Sequence, residues 1–262
     1  MATNREISVQ QPDAETYTNA TPMPSTVGGW SAGSTFSNKT TSQMFDGLLY
    51  PYQLPVFSTL TLTGVSTPLE VGATVAANPT FNWSVTNYLN ILASSIVLKS
   101  AGVTVMSGIS STGASQTQAT VLAAITKTTA TTSTFSIDAT NTNSQALATK
   151  SYVVTWQWKR YYGESVSTPL NEAGIEGLRV GGLASGFAGT YIFNALSSGY
   201  KYLCYPSVLG AATIFKDTST QLPVPFEAPY TVSVTNSYGV ATNYNVHRST
   251  NILSGAITII VS

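Results

Sequence analysis

The sequence contains few charged residues. Eleven of its 262 residues are Lys or Arg and eleven are Asp or Glu, which is 8 % of the chain, whereas a typical soluble domain carries about 25 %. The formal net charge is zero, so no field of one sign attracts nucleic acid or an anionic membrane surface. Zero net charge also weakens the repulsion that keeps copies of a protein apart. We therefore expect association with protein and no nucleic-acid partner.

Side chains that could carry acid–base or metal chemistry are also scarce. His247 is the single histidine and Cys204 the single cysteine, so no intrachain disulfide can form and no zinc-ligand spacing exists. The acidic residues are scattered, without the dense Asp and Asn of a calcium loop. Neither a nucleophile elbow nor a phosphate-binding glycine motif is found between a strand and a helix. We expect no enzymatic activity, no cofactor and no metal site.

Membrane and export signals are missing as well. The sequence contains no run of 18 apolar residues, which is about the length needed to span a bilayer. The first eleven residues are polar, include Arg5 and Glu6, and lack the apolar core of a signal peptide. The expectation is synthesis in the cytoplasm without membrane insertion.

Short alternating apolar runs occur instead, embedded in Ser, Thr, Asn and Gln. Residues 80–86 place Phe81, Trp83 and Val85 on one face, and residues 152–158 alternate in the same way. Strands at such spacings, separated by Gly, Asn and Pro, favour β-sandwiches. We predict an all-β chain with a sandwich at residues 56–162 and a second β-rich domain at 163–262. Residues 107–133 are compatible with either a short helix or a strand beside a long loop.

One short helix is predicted in the second domain. Thr168 suits the N-cap and Pro169 the first helical position, and the helix would end at Gly181 and pack on a sheet. Glu172 and Glu176 would share an exposed face near its start. The helix dipole keeps carboxylates ionised there, which argues against a glycosidase general acid.

The last strand, residues 256–261, is apolar and uncharged. An unpaired strand of this kind is prone to aggregation. It is therefore predicted to lie in the centre of its sheet or beneath a neighbouring subunit.

Residues 1–55 differ from the rest because no apolar period is sustained, yet aromatic and leucine side chains recur among Thr, Ser, Asn, Gly and Pro. This pattern is typical of an arm that becomes ordered when it docks on a partner, although a disordered tail would have a similar composition. We predict an extended docking arm. Its candidate buried anchors are Trp30, Phe45, Leu48, Tyr50 and Tyr52.

Two further positions could bind a ligand. Alternation with Tyr244 and Val246 places His247 on the wetter face of its strand, which predicts a surface or interface histidine. Tyr161 and Tyr162 follow two tryptophans and a basic pair, a combination that can stack on sugars; they are candidate glycan contacts. The alternative is that the tryptophans are core residues and that an exposed turn begins at the basic pair.

Several stretches resemble known sequences. Residues 69–75 leading into 79–84 resemble the opening of immunoglobulin-like modules in virion proteins of tailed bacteriophages. Residues 229–239, 243–251 and 257–262 are similar to the C-terminal domain of phage tail-fibre and related structural proteins.

The resemblance implies a non-enzymatic structural component of a virion, made in the host cytoplasm and placed in the tail as a fibre, baseplate or adaptor-associated protein. Its implied partners are other virion proteins and copies of itself, with a trimer among the compatible homo-oligomers. The alternatives are a capsid decoration protein and a receptor-recognition module that binds a host surface glycan. The resemblance supplies no catalytic residues.

Overall fold

The computed structural model describes residues 16–19, 21–22, 24, 30, 33, 35–49, 52–194, 199–253 and 255–262. The described part of the chain is mostly β-structure in several sheets, which confirms the all-β, sandwich-like prediction. The N-terminal segment holds a two-stranded sheet and a helix: β1 (Thr16–Asn19), β2 (Phe36–Thr40) and α1 (Thr41–Leu49).

The next ten strands build the first sandwich. They are β3 (Val56–Leu62), β4 (Leu69–Glu70), β5 (Thr74–Val75), β6 (Thr80–Thr86), β7 (Ile96–Ser100), β8 (Val103–Ile109), β9 (Ser115–Ala119), β10 (Ile125–Thr126), β11 (Thr131–Asp138) and β12 (Lys150–Ser165). One sheet has the order β3-β6-β9, the facing sheet has the order β4-β12-β11-β7-β8, and β5 and β10 form a separate two-stranded sheet. The pairs are antiparallel except β4 with β12, which is parallel. A 3₁₀ turn at Tyr88–Asn90 follows β6.

The alternating residues of the sequence form this sandwich's core. Phe81, Trp83 and Val85 are all buried, as predicted, and the Phe81 and Phe135 rings meet edge to face at 5.9 Å. The stretch 107–133 forms strands and loops with no helix, because β9 completes a sheet by pairing along β6. The small residues of 107–133 carry no apolar alternation from which that pairing could be predicted.

The second half contains one helix and seven further strands: α2 (Glu172–Glu176), β13 (Arg179–Ala184), β14 (Gly189–Phe193), β15 (Tyr200–Pro206), β16 (Phe215–Asp217), β17 (Tyr230–Thr235), β18 (Ala241–Arg248) and β19 (Ile257–Val261). A 3₁₀ turn at Ser207–Leu209 follows β15. The sheet β17-β18-β15-β12 carries β13 on β12 and faces the sheet β14-β19-β16. The final strand β19 is therefore central in its sheet, which confirms that prediction.

The two halves share strand β12. Its first part pairs with β11 and its second part with β13 and β15, so the predicted boundary at 162/163 falls inside a continuous strand. Trp158 belongs to the first core, whereas Tyr161 and Tyr162 belong to the two cores on either face of the second sheet. One 16-residue strand thus joins the halves without a linker.

The β17–β18 turn also ties the halves together. Asn236 Nδ2 donates to the Val71 carbonyl at 2.6 Å. Gly72 has φ +91°, and a Cβ there would lie 2.6 Å from the Cβ of Tyr238. Only glycine permits this approach, because a side chain would clash and would disfavour that backbone angle.

Helix α2 packs on the second sheet as predicted, with Ile175 fully buried, but it is shorter than predicted and starts later. Asn171 is the N-cap, because its side chain accepts from the Gly174 N–H at 2.9 Å. The Thr168 hydroxyl is instead bonded to Arg248. The cap assigned to Thr168 was therefore wrong.

Candidate docking surface

Helix α1 lies within the predicted arm and was not anticipated there. Thr40 and Gln43 cap it reciprocally: the Thr40 N–H donates to Gln43 Oε1 at 3.1 Å, and the Gln43 N–H donates to Thr40 Oγ1 at 3.3 Å. This is a capping box, a sequence signature of a helix start. The Thr40-x-x-Gln43 spacing was the signal that could have revealed the helix.

None of the residues of α1 is buried. Phe45, Leu48 and Leu49 have the i, i+3, i+4 spacing that places side chains on one helix face, and they are 55 %, 39 % and 67 % exposed. Tyr52, just beyond the helix, is 37 % exposed. We call these four residues the α1 patch. A short amphipathic helix gains its stability from burying its apolar face, so the α1 patch is suited to covering by another protein.

A groove of about 1110 Å³ adjoins the α1 patch. It is lined by Trp30, by Leu49 and Tyr52 of the patch, and by Tyr88 and Leu89 of the 3₁₀ turn after β6. The structure therefore brings together two predicted anchors, Trp30 and Tyr52, and adds Leu49, which the sequence analysis missed.

The other predicted anchors are distributed differently. Phe45 and Leu48 are exposed on α1 but do not line the groove. Tyr50 lies outside the described residues.

The outer face of the sheet β3-β6-β9 is a second surface that another protein could cover. It presents hydroxyl and amide side chains without a charge: Thr59, Thr61, Asn82, Ser84, Ser115 and Thr117. Covering hydroxyls costs less free energy than covering ions, because no charge loses its hydration.

The two candidate glycan contacts are buried, whereas binding a glycan would require them to be exposed. Tyr161 and Tyr162 are 5 % and 9 % exposed. Tyr161 packs against Tyr244 at 5.8 Å between ring centroids, and Tyr162 packs edge to face on Tyr191 at 5.3 Å. Burial, assisted by nearby carboxylates, raises the pKa of Tyr161 to about 12. The chain does not turn outward after Trp158: β12 continues between covering layers, so neither ring face is open to a sugar.

Strand β15 carries three more tyrosines, Tyr200, Tyr202 and Tyr205, beside Tyr161 and Tyr162. Tyr202 and Tyr205 are fully buried, and the Arg248 guanidinium lies 4.6 Å above the Tyr200 ring. No open aromatic platform remains along β15.

His247 is buried, which corrects its predicted place on the wetter face. Tyr244 and Val246 fill the core under α2, while His247 faces the opposite core beside Phe215, at 5.1 Å between ring centroids. Strand β18 is thus covered on both faces. The Tyr205 hydroxyl accepts from the Ala212 N–H at 2.8 Å and is therefore free to donate to His247 Nε2 at 2.8 Å.

This environment favours the neutral imidazole. Desolvation lowers the pKa of His247 to about 4. Cys204 faces the other core, where burial raises the pKa of its thiol, so these two residues form no nucleophile–base pair. Within the described ranges, no cluster of three or more His, Cys, Asp and Glu could hold a metal ion.

The buried imidazole makes stability depend on pH. His247 takes up a proton near its ordinary pKa of 6.5 in the unfolded chain but only near 4 in the folded one, so its stabilising effect is complete above pH 6.5 and is lost as the pH falls towards 4. We expect acidification from pH 7 to 4.5 to cost about 2 kcal/mol through this residue, allowing for solvent screening. Urea unfolding of wild type and His247→Gln at both pH values measures it. Equal pH dependence in the two proteins would contradict the assignment.

Comparison with known proteins adds little. No protein-family model matches the chain, and no curated protein matches it. A solved structure with some likeness is the crystal structure of Streptomyces avermitilis α-L-rhamnosidase complexed with L-rhamnose, with a TM-score of 0.27 and 12 % identity. The match covers 79 % of this chain and 23 % of that one. Likeness at this level supports no conclusion about fold or activity. Among the described residues, no helix is both long and apolar enough to cross a bilayer.

Proposed function

We propose that this chain is a non-enzymatic structural component of a bacteriophage virion, located in the tail as a fibre, baseplate or adaptor-associated protein. It attaches to neighbouring virion proteins through its N-terminal segment and contacts copies of itself through its hydroxyl-coated β-faces. The proposal draws on the resemblance of residues 69–84 and 229–262 to phage modules of immunoglobulin type and tail-fibre type.

The observation that carries the proposal is the exposed α1 patch. None of the nine residues of the helix is buried, yet the helix has a defined cap and a contiguous apolar face. An apolar side chain of this size contributes about 1.5–3 kcal/mol when it is fully buried. Covering the patch with a partner therefore provides a favourable term for attachment.

The low charge of the chain supports the same proposal. A virion subunit must bury large surfaces against its neighbours, and burying few ions limits the desolvation cost of those interfaces. The uncharged outer face of β3-β6-β9 has this property. A capsid decoration protein would use the same surfaces, so the position in the particle separates that alternative from a tail protein.

Disrupting the α1 patch should prevent attachment. We expect the double variant Phe45→Ser/Leu49→Ser to be incorporated into particles at least about tenfold less than wild type, because each lost side chain removes more than the 1.4 kcal/mol that corresponds to a tenfold change in binding. The measurement is quantitative mass spectrometry of gradient-purified particles from cells that supply each variant in place of wild type.

The matched control is Val121→Ser/Leu222→Ser, which alters two other exposed apolar side chains, 87 % and 64 % exposed, away from α1. The control should be incorporated at the wild-type level. Incorporation of the α1 double variant at that same level would refute attachment through α1.

A further inference from the structure

Lys201 and Glu164 form a buried pair in the second half. They are cross-strand partners on β15 and β12, and Lys201 Nζ contacts Glu164 Oε1. Their side chains are 0 % and 4 % exposed. In each of the other three ion pairs of the described residues, at least one partner is 26 % or more exposed. Among the described ion pairs, this is the one in which both side chains are almost fully buried.

The pair has too few hydrogen bonds for two buried ions. An ammonium group offers three donors and a carboxylate offers two acceptor oxygens. In the part of the chain that the structure describes, Glu164 Oε1 is the one side-chain partner of Nζ, and Glu164 Oε2 is buried without any partner. Buried charges are normally compensated by several such bonds, since losing hydration is otherwise costly.

Among the described residues, the Ser249 hydroxyl near Lys201 does not supply a missing bond. The Ser249 hydroxyl accepts from the backbone N–H of Lys201 at 3.0 Å and donates to the Asn251 carbonyl at 2.7 Å. It is therefore already engaged. A neutral amide has one N–H and one C=O, so it would leave fewer polar groups buried without a partner than the ion pair does.

We propose that Lys201 and Glu164 condense into an intramolecular amide that cross-links β15 to β12. A proton passes from the Lys201 ammonium to Glu164 Oε1, which gives an amine and a carboxylic acid. The Nζ lone pair attacks Glu164 Cδ, a second Nζ proton moves to Oε1, and the Cδ–Oε1 bond breaks. One water molecule leaves, Oε2 becomes the amide oxygen, and Nζ keeps one hydrogen.

The geometry promotes this condensation. The strand pairing fixes Glu164 opposite Lys201, with Gly163 opposite Tyr202 and Ser165 opposite Tyr200. Groups held in contact in this way can reach effective concentrations of roughly 10⁵–10⁸ M.

The released water has a route out, because Glu164 also lines a cleft of about 230 Å³ with Arg179 and Asn194. The link would join the strand that both halves share to the middle of the second sheet.

The test is the intact mass of the full chain, measured by mass spectrometry under denaturing conditions. We expect a mass lower than that of the sequence by one water molecule, and a protease digest that contains a branched peptide joining Lys201 to Glu164. A mixture in which the lighter form increases on incubation would equally support the proposal. Lys201→Met should show its full sequence mass.

Lys159→Met is the matched control. Lys159 also pairs with a glutamate, Glu70, but is 29 % exposed. The Lys159→Met variant keeps both Lys201 and Glu164, so it should still lose one water molecule. A wild-type mass equal to that of the sequence after prolonged incubation would overturn the proposal. A water loss without the branched peptide would overturn it too. Both readouts come from the wild-type chain and stand even if Lys201→Met fails to fold.

Discussion

Replacing Trp156 with alanine is expected to lower the free energy of unfolding by about 3–5 kcal/mol. Trp156 is fully buried in the middle of β12, and its indole N–H donates to the Ala73 carbonyl at 2.8 Å. The substitution leaves a large cavity and a buried carbonyl without its donor, and both effects destabilise the fold. Urea unfolding followed by circular dichroism gives the value.

Two variants test the reasoning. Trp156→Phe keeps most of the ring but loses the hydrogen bond, so we expect an intermediate cost of about 1–2 kcal/mol. Val153→Ala alters the same strand at a position that is 43 % exposed and should cost less than about 1 kcal/mol. A Trp156→Ala protein as stable as Val153→Ala would show that the first core is not organised around this side chain.

The second large effect is expected at Asn236, in the turn that ties the two halves together. Its amide donates to the Val71 carbonyl at 2.6 Å and accepts from the N–H groups of Tyr238 and Val240, each at 3.0 Å. The residue is 8 % exposed, and its three hydrogen bonds, one buried and two part-buried, contribute about 1 kcal/mol each. We expect Asn236→Ala to lose about 3 kcal/mol.

The loss should also separate the unfolding of the two halves. Trp83, Trp156 and Trp158 lie in the first core, so tryptophan fluorescence reports mainly on the first sandwich. The near-ultraviolet signal of the tyrosines reports mainly on the second half. In wild type the two transitions should coincide, and in Asn236→Ala the tyrosine transition should come at lower urea concentration.

Ser237→Ala is the neighbouring control, because its hydroxyl contacts Glu70 Oε2 only at 3.5 Å. It should leave both transitions within about 0.5 kcal/mol of wild type. Coincident, unshifted transitions in Asn236→Ala would mean that the halves are held together by β12 alone.

Strand identity could be derived from the sequence wherever only one face is buried. The period of two placed Phe81, Trp83 and Val85 in the core. The apolar composition of residues 256–261 predicted a strand that is central in its sheet or covered by a neighbouring subunit, and β19 is central. Both inferences rest on the cost of exposing apolar side chains or unpaired backbone groups.

The same period fails where both faces of a strand are covered. His247 alternates with Tyr244 and Val246, and this alternation predicts that it faces water, but a second sheet covers its side of β18. Tyr161 and Tyr162 failed as glycan contacts for the same reason. Alternation gives the side on which a residue lies, whereas the layer that covers that side depends on distant strands.

The candidate docking surface could be predicted only in part. Isolated aromatic residues in a polar segment pointed to Trp30, Phe45, Leu48 and Tyr52, but not to the helix that presents two of them. The capping box at Thr40 and Gln43 was a local signal that was overlooked. Leu49 could not be selected from the sequence, since its place in the groove depends on the turn after β6.

A cryo-electron microscopy reconstruction of the intact particle tests the proposed function most directly. We expect density for this chain in the tail, with Phe45, Leu48, Leu49 and Tyr52 covered by a neighbouring subunit. Particles without the chain, or particles in which α1 faces solvent at every copy, would contradict a virion protein attached through its N-terminal helix.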